Sequence, residues 1–271
     1  MTPLRLAVRL GAVAVTCSAL AVPGTAIAIA GVAAVSHKGI LPPQNPARSV
    51  QPRPFFLSSP RCYGGQDSAR CNAMVLRAVT RARQVLEKLT GMSFSLSAYE
   101  QLTPAEQLFV AVNLERTDRG LAPATVLTRS LDRVAQIGAN RDEDPPLGQV
   151  PDPLPGGGQV IGLGGNWAGG WDNALGADYG WMYDDGPGGA NGACNRRNQS
   201  GCWGHRNNIL GTFNSNALCG GERNELALGA GHVTSGKAYG DSETELFVGI
   251  CGPTPTDVIL TWNQAKRLLH I

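Results

Sequence analysis

The sequence predicts an α+β domain braced by disulfides, and three observations carry that expectation. Helical periodicity comes first along the chain and strand alternation later, with long loops between, which is not the rhythm of a parallel βαβ sheet. An apolar run follows two N-terminal arginines, the pattern of an export signal. Of seven cysteines, the six beyond that signal form an even set that reads as disulfides in an exported chain.

The export segment is read over residues 1–30. Arg5 and Arg9 form its basic head, an apolar run follows to Val22, and Pro23-Gly24 breaks it before the small-x-small sites Ala26-Ile27-Ala28 and Ala28-Ile29-Ala30. The alternative is an uncleaved anchor over 10–35, because apolar character persists to Val35 and a spanning helix needs about 20 such residues. The Pro-Gly break favours cleavage. Loss of Arg5 and Arg9 takes the formal charge from +2 to neutral. With no basic run left, nucleic acid is excluded as a partner. The expected address is secreted, extracellular or wall-associated, with membrane contact only through an uncleaved N-terminus. Residues 31–60 carry Pro42, Pro43, Pro46, Pro52, Pro54 and Pro60 and read as an extended tether.

A helical extension is expected over 61–101. Its helix, 71–89, repeats Val75, Val79, Ala82, Leu86 and Leu89 at threes and fours, and Gly91 ends it. The next helix has Thr103 as N-cap, Pro104 at the first position and Glu106 completing a capping box. Leu108, Ala111 and Val112 continue its apolar face to a stop at Gly120. A helix over 128–140 lines up Leu131, Val134, Ala135 and Gly138, and the glycine implies a close backbone neighbour. Residues 141–170 read as loop with a short strand at "QVIGL". A helix over 171–183 follows, then alternating strands at 225–233 and 244–251. "TDVILTWNQAKRLLHI" closes the chain as an amphipathic helix capped by Thr256 or Asp257. Cys62–Cys71 and Cys194–Cys202 would each close a short Gly/Asn-rich loop, leaving Cys219–Cys251, although six cysteines allow 15 pairings. A zinc site is the rival reading, but no C-x-x-C or paired Cys/His cluster supports it.

"NLERTDRGLAP", "GGNWAGG", "GWMYDDG", "GHRNNIL" and "ELFVGIC" occur in an order that resembles the CAP superfamily (cysteine-rich secretory, antigen 5 and pathogenesis-related 1 proteins), in its secreted bacterial branch. The resemblance implies a domain over 102–252 with a helical tail at 253–271, folded as an α-β-α sandwich. It also implies a cleft where two histidines and two acids hold a divalent cation. His205 matches one histidine of that set. The first glutamate position falls on Gly165 in "GGN", beside Asn166. Asp184 takes the second acidic position, with Asp185 next to it. Where the other histidine belongs, the chain offers Asp142, Glu143 and Asp144.

The residues leave several roles open. His205 can be a ligand or general base, or a ring packed on Trp203 that shapes a turn. Metal at His205 and Asp184 would be a carboxylate-held divalent cation, because a transition-metal site needs more nitrogen or sulfur ligands. Glu245 is expected to face a cleft or pair with His205, since an unpaired buried acid is costly. His232 is read as a satisfied core residue. Trp167 and Trp171 can stack on a sugar or cover a lipid, or simply pack. No G-x-S-x-G elbow or H-E-x-x-H helix is present. The reading therefore leans to a non-catalytic envelope module binding a lipid, glycan or protein. The alternatives are a cation-assisted hydrolase using His205 with Asp184 or Glu245, and a structural wall protein.

Overall fold

The computed structural model describes Cys62 and residues 69–171, 173–196, 198–213, 217–237 and 239–271. The signal, anchor and tether expected within residues 1–60 lie outside them. In chain order the elements are α1 (Ala69–Ala82), α2 (Leu96–Tyr99), α3 (Pro104–Thr117), β1 (Val126–Thr128), α4 (Arg129–Arg141), β2 (Gln159–Gly169), α5 (Ala174–Tyr183), α6 (Gly204–Leu210), β3 (Asn224–Lys237), β4 (Gly240–Cys251), β5 (Val258–Thr261) and α7 (Trp262–Leu269). The strands form one sheet in the order β2-β4-β3-β1-β5. Only β1 and β3 run parallel; the other pairs are antiparallel, as an α+β chain requires.

Helix starts follow their side chains. Thr103 and Glu106 form the reciprocal capping box at α3, and Thr128 caps α4. α1 widens into a π-helical turn (Arg83–Glu87) that ends at Lys88 in the left-handed region, before the expected stop at Gly91. Gly138 keeps its promise of a close neighbour. A Cβ there would lie 2.8 Å from the Glu143 carbonyl and 3.0 Å from the Pro145 backbone. The chain therefore turns tightly out of α4 and crosses toward β2.

Three expectations need correction. The segment read as loop with a short strand is the eleven-residue β2, paired with β4 from Gln159 opposite Cys251 to Gly169 opposite Ser242. Its glycines carry no side chain, so the two-residue alternation is invisible in the sequence. The last helix is capped by Thr261, not Thr256 or Asp257, because 258–261 extends as β5 against β1. Asp257 instead accepts the Ser130 N–H at 2.6 Å, at the start of α4. The helix expected from 171 begins at Ala174, with Asn173 as its cap.

Helices cover both faces of the sheet. On one face Ala227, Leu246, Val248 and Ile250 pack against Leu131, Val134 and Ala135 of α4. Glycine permits this approach: a Cβ on Gly231 would sit 2.5 Å from the Gln136 backbone nitrogen. On the other face Leu228, Ala230 and Phe247 join a core that includes Val79 of α1, Phe109 of α3, Tyr179 of α5 and Trp262 of α7. Each such buried aliphatic or aromatic side chain contributes about 1.5–3 kcal/mol. The N-terminal helical extension is thus packed into the same core. Disulfides join Cys62 to Cys71, Cys194 to Cys202 and Cys219 to Cys251, with Cα separations of 4.9, 4.6 and 5.3 Å. These are the expected pairings, and they fit an oxidising compartment. Among the described residues no helix is long and apolar enough to cross a membrane.

Candidate functional site

The site forms at the edge strand β2, where α6 lies beside it. α6 begins after Trp203, whose left-handed backbone (φ 62°) turns the chain out of the Cys194–Cys202 loop. The side chain that anchors this turn is Asp185. One of its carboxylate oxygens accepts the His205 and Arg206 backbone N–H groups, at 3.0 and 3.3 Å. Its other oxygen accepts Nδ1 of His205 at 2.6 Å and Nδ2 of Asn191 at 2.7 Å. Asp185 is almost fully buried, and the four donors saturate its lone pairs.

That arrangement sets the state of His205. Burial lowers the imidazole pKa, but the hydrogen bond and charge of Asp185, with a further push from Asp144, outweigh it and raise the pKa above 6.5. A cation in the first turn of a helix opposes the helix dipole, so Asp185 offsets that as well. With Nδ1 committed, Nε2 is the polar atom left to the ring, whose side chain is 26% exposed.

Asp144 reaches this neighbourhood because of Gly165. A Cβ on Gly165 would stand 3.1 Å from Pro145 and 3.4 Å from Leu147. The position where the resemblance expects a glutamate is therefore covered by the 145–147 chain, which carries the exposed Asp144 beside it. Asn208 of α6 fastens this edge, donating to the Gly165 carbonyl at 2.7 Å and to Asn166 Oδ1 at 3.0 Å. Asn166 in turn donates to the His205 carbonyl at 3.2 Å.

Other candidates lie elsewhere. Glu245 neither meets solvent nor pairs with His205. It is fully buried and receives only a long 3.5 Å hydrogen bond from Asn166. Burial and the charge of Asp178 push its pKa well above 4.5, against the pull of Arg116 and Asn166. The expectation failed because alternation along β4 aims Glu245 at α3 and α5, not at the sheet edge. Asp184 makes no hydrogen bond or ion pair with His205; burial, then the Asp185 charge, raise it to about 7 against a backbone hydrogen bond at Ala190. Among the described residues no three His, Cys, Asp or Glu side chains are grouped to hold a metal ion. The donor set does not suit a cation either, since Asp185 would have to release its present donors.

The two tryptophans do not form a shared platform. Trp171 is buried against α5, with its ring 6.2 Å from Tyr179 and tight against Gly180. Trp167 is half-buried, donates to Ser242 at 2.8 Å and meets the Tyr239 ring edge-on at 5.5 Å. His232 pairs with Glu243 at 2.5 Å, on the same sheet face as Glu245.

The charged braces behind the site had no counterpart among the residues the sequence singles out. Arg206 is fully buried; it reaches Glu87 at 2.6 Å and the Met182 carbonyl at 2.5 Å. Arg119 also holds Glu87, at 2.7 Å, and pairs with Glu115, which accepts Tyr183 Oη at 2.9 Å. Arg83 pairs with Asp118 and lies 3.5 Å from Glu115. Arg116 donates to the Ala122, Ile209 and Gly211 carbonyls, tying the end of α3 to the end of α6. A signal existed: "NLER" places Glu115 and Arg116 directly after the apolar stripe of α3. Searches of family models, curated proteins and solved structures returned no match to this chain.

Proposed function

We propose that this chain is an exported, CAP-like binding module whose cation cleft has been filled in, and that it recognises a hydroxyl-rich envelope glycan through His205 and Asp144. The observation that carries the proposal is the saturated Asp185 carboxylate. It holds His205 in one orientation and, with a push from Asp144, raises its pKa, so that the protonated ring, a donor at both nitrogens, persists to higher pH than in a free imidazole. Asp144 supplies an acceptor whose charge is felt at the same ring. A paired donor and acceptor at a partly exposed edge suits sugar hydroxyls. The CAP-like reading is supported by spatial convergence: Gly165, Asp185 and His205 come from three of the quoted motifs and gather at one strand edge, with Asp144 from the segment after α4 beside them.

A hydrolase is the second reading, because a histidine oriented by a buried aspartate is also the geometry that activates water. One experiment separates the two. The intact chain is incubated with purified insoluble cell-wall glycan; retention on the solid and release of soluble reducing ends are both measured. The binding reading expects retention that falls about tenfold in His205→Ala and Asp144→Asn, roughly one charge-assisted hydrogen bond each, with no released fragments. Unchanged retention in both variants removes the glycan reading. Fragments whose release requires His205 would establish the hydrolase instead.

A further inference from the structure

A second site arises from a mismatch in strand length. β3 has fourteen residues and its neighbour β1 three, so β1 pairs only with Ala227 and Leu228. Beyond them α4 side chains take over the edge of β3. Asp132 accepts the Ala230 N–H at 2.9 Å; Gln136 accepts the His232 N–H at 3.1 Å and donates to its carbonyl at 2.9 Å. The space left between this edge, α4 and the start of α3 is an open groove of about 460 Å³. That lies within the range of small-molecule sites.

Its lining is chemically divided. Pro104, Ala105, Ala230 and Ile259 contribute apolar surface, while Asp132 of α4 and His232 of β3 contribute polar groups. Arg129 and Arg133 are exposed one helical turn apart on α4 and also line the groove. Among the described residues neither arginine belongs to an ion pair, although this fold pairs most of its buried arginines. Two exposed guanidiniums beside apolar lining residues match a carboxylate head on an apolar body, because the planar fork binds carboxylate bidentately.

We infer that this groove binds a small amphipathic carboxylic acid, with its carboxylate on Arg129 and Arg133 and its hydrocarbon part against Pro104, Ala105 and Ile259. The site is separate from His205 and does not depend on the glycan reading. Asp132 gives it a pH signature. Burial raises Asp132 to about 7, with smaller pushes from Glu106 and Asp257 and opposing pulls from the Ala230 N–H and Arg129. His232 on β3, backed by Glu243 on β4, and Arg133 on α4 complete the charged surroundings. Neutral Asp132 offers an O–H to a bound carboxylate, and ionised Asp132 repels it.

The test is calorimetric titration of the intact chain with hexanoate, with hexylamine and hexanol as controls of equal body. Hexanoate is expected to bind saturably and more tightly than either control. Its affinity should weaken by up to about tenfold per pH unit above 7, the limit for one required proton. Arg129→Gln with Arg133→Gln should lower affinity about tenfold or more. Asp132→Asn should remove the pH dependence while binding persists. Absence of hexanoate binding at pH 6, preference for hexylamine, or unchanged affinity in the double arginine variant would each overturn the inference.

Discussion

Strand β4 separates two interiors of opposite character. Toward α4 it presents Leu246, Val248 and Ile250 to an aliphatic layer, and the polar Thr244 on that side is satisfied by the Ala135 carbonyl at 2.7 Å. On its other face lie Phe247, Glu243 paired with His232, and the fully buried Glu245, which feels the charges of Asp178 and Arg116; Glu115, Arg83 and Arg206 are further fully buried charges on that side of the molecule. The first layer is held by area and shape. The second combines a larger apolar core around Phe109, Tyr179 and Phe247 with buried charges, and a buried ion pair gains little net stability over apolar packing but breaks badly when one partner is lost. The contrast teaches where function can sit: His205 and its supports belong to the charged layer, where orientation is fixed by directional bonds.

The largest effect should come from breaking that layer. Arg206→Met leaves the Met182 carbonyl and part of Glu87 without a donor, and should destabilise by about 3–5 kcal/mol in chemical denaturation. Leu246→Ala on the aliphatic side should cost about 3 kcal/mol. Its loss should be the same at pH 5 and pH 8, since no titrating group is touched. The smallest effect sharpens the comparison through pH. Glu245 has a folded pKa raised well above its ordinary 4.5. The folded state thus holds a proton that the unfolded chain releases, and stability falls as pH rises from about 4.5, by at most about 1.4 kcal/mol per unit for one group. Glu245→Gln should flatten that slope and stabilise the protein at pH 8; Asp178→Asn should behave alike, since burial raises Asp178 as well.

Much of the frame was legible in the residues. Thr103, Pro104 and Glu106 declare the start of α3, Gly138 announces the close turn at Pro145, and the loop lengths between cysteines point to the three disulfides found. β2 was not legible, because glycine erases alternation. β1 and β5 were too short, at three and four residues, to show a period of their own. At the site, "GHRNNIL" and "YDDG" marked His205 and Asp185 as candidates, but nothing local says which aspartate turns inward. That depends on contacts between distant residues, among them the Asp185 backbone carbonyl accepting the Trp203 N–H at 3.1 Å. The arginine braces were hidden for a related reason: Glu87 and Arg206 are 119 residues apart.

The central claim is that Asp185, and not Glu245, governs His205. Its most direct test is the NMR titration of the His205 ring in three proteins: the parent, Asp185→Asn and Glu245→Gln. The account predicts a parent pKa above 6.5, a drop below that value in Asp185→Asn where burial is left to dominate, and little change in Glu245→Gln. In linkage terms the raised His205 adds stability below its unfolded pKa, and that stability fades as pH rises through the folded value. A parent value at or below 6.5, or a ring indifferent to Asp185→Asn but shifted by Glu245→Gln, would contradict it.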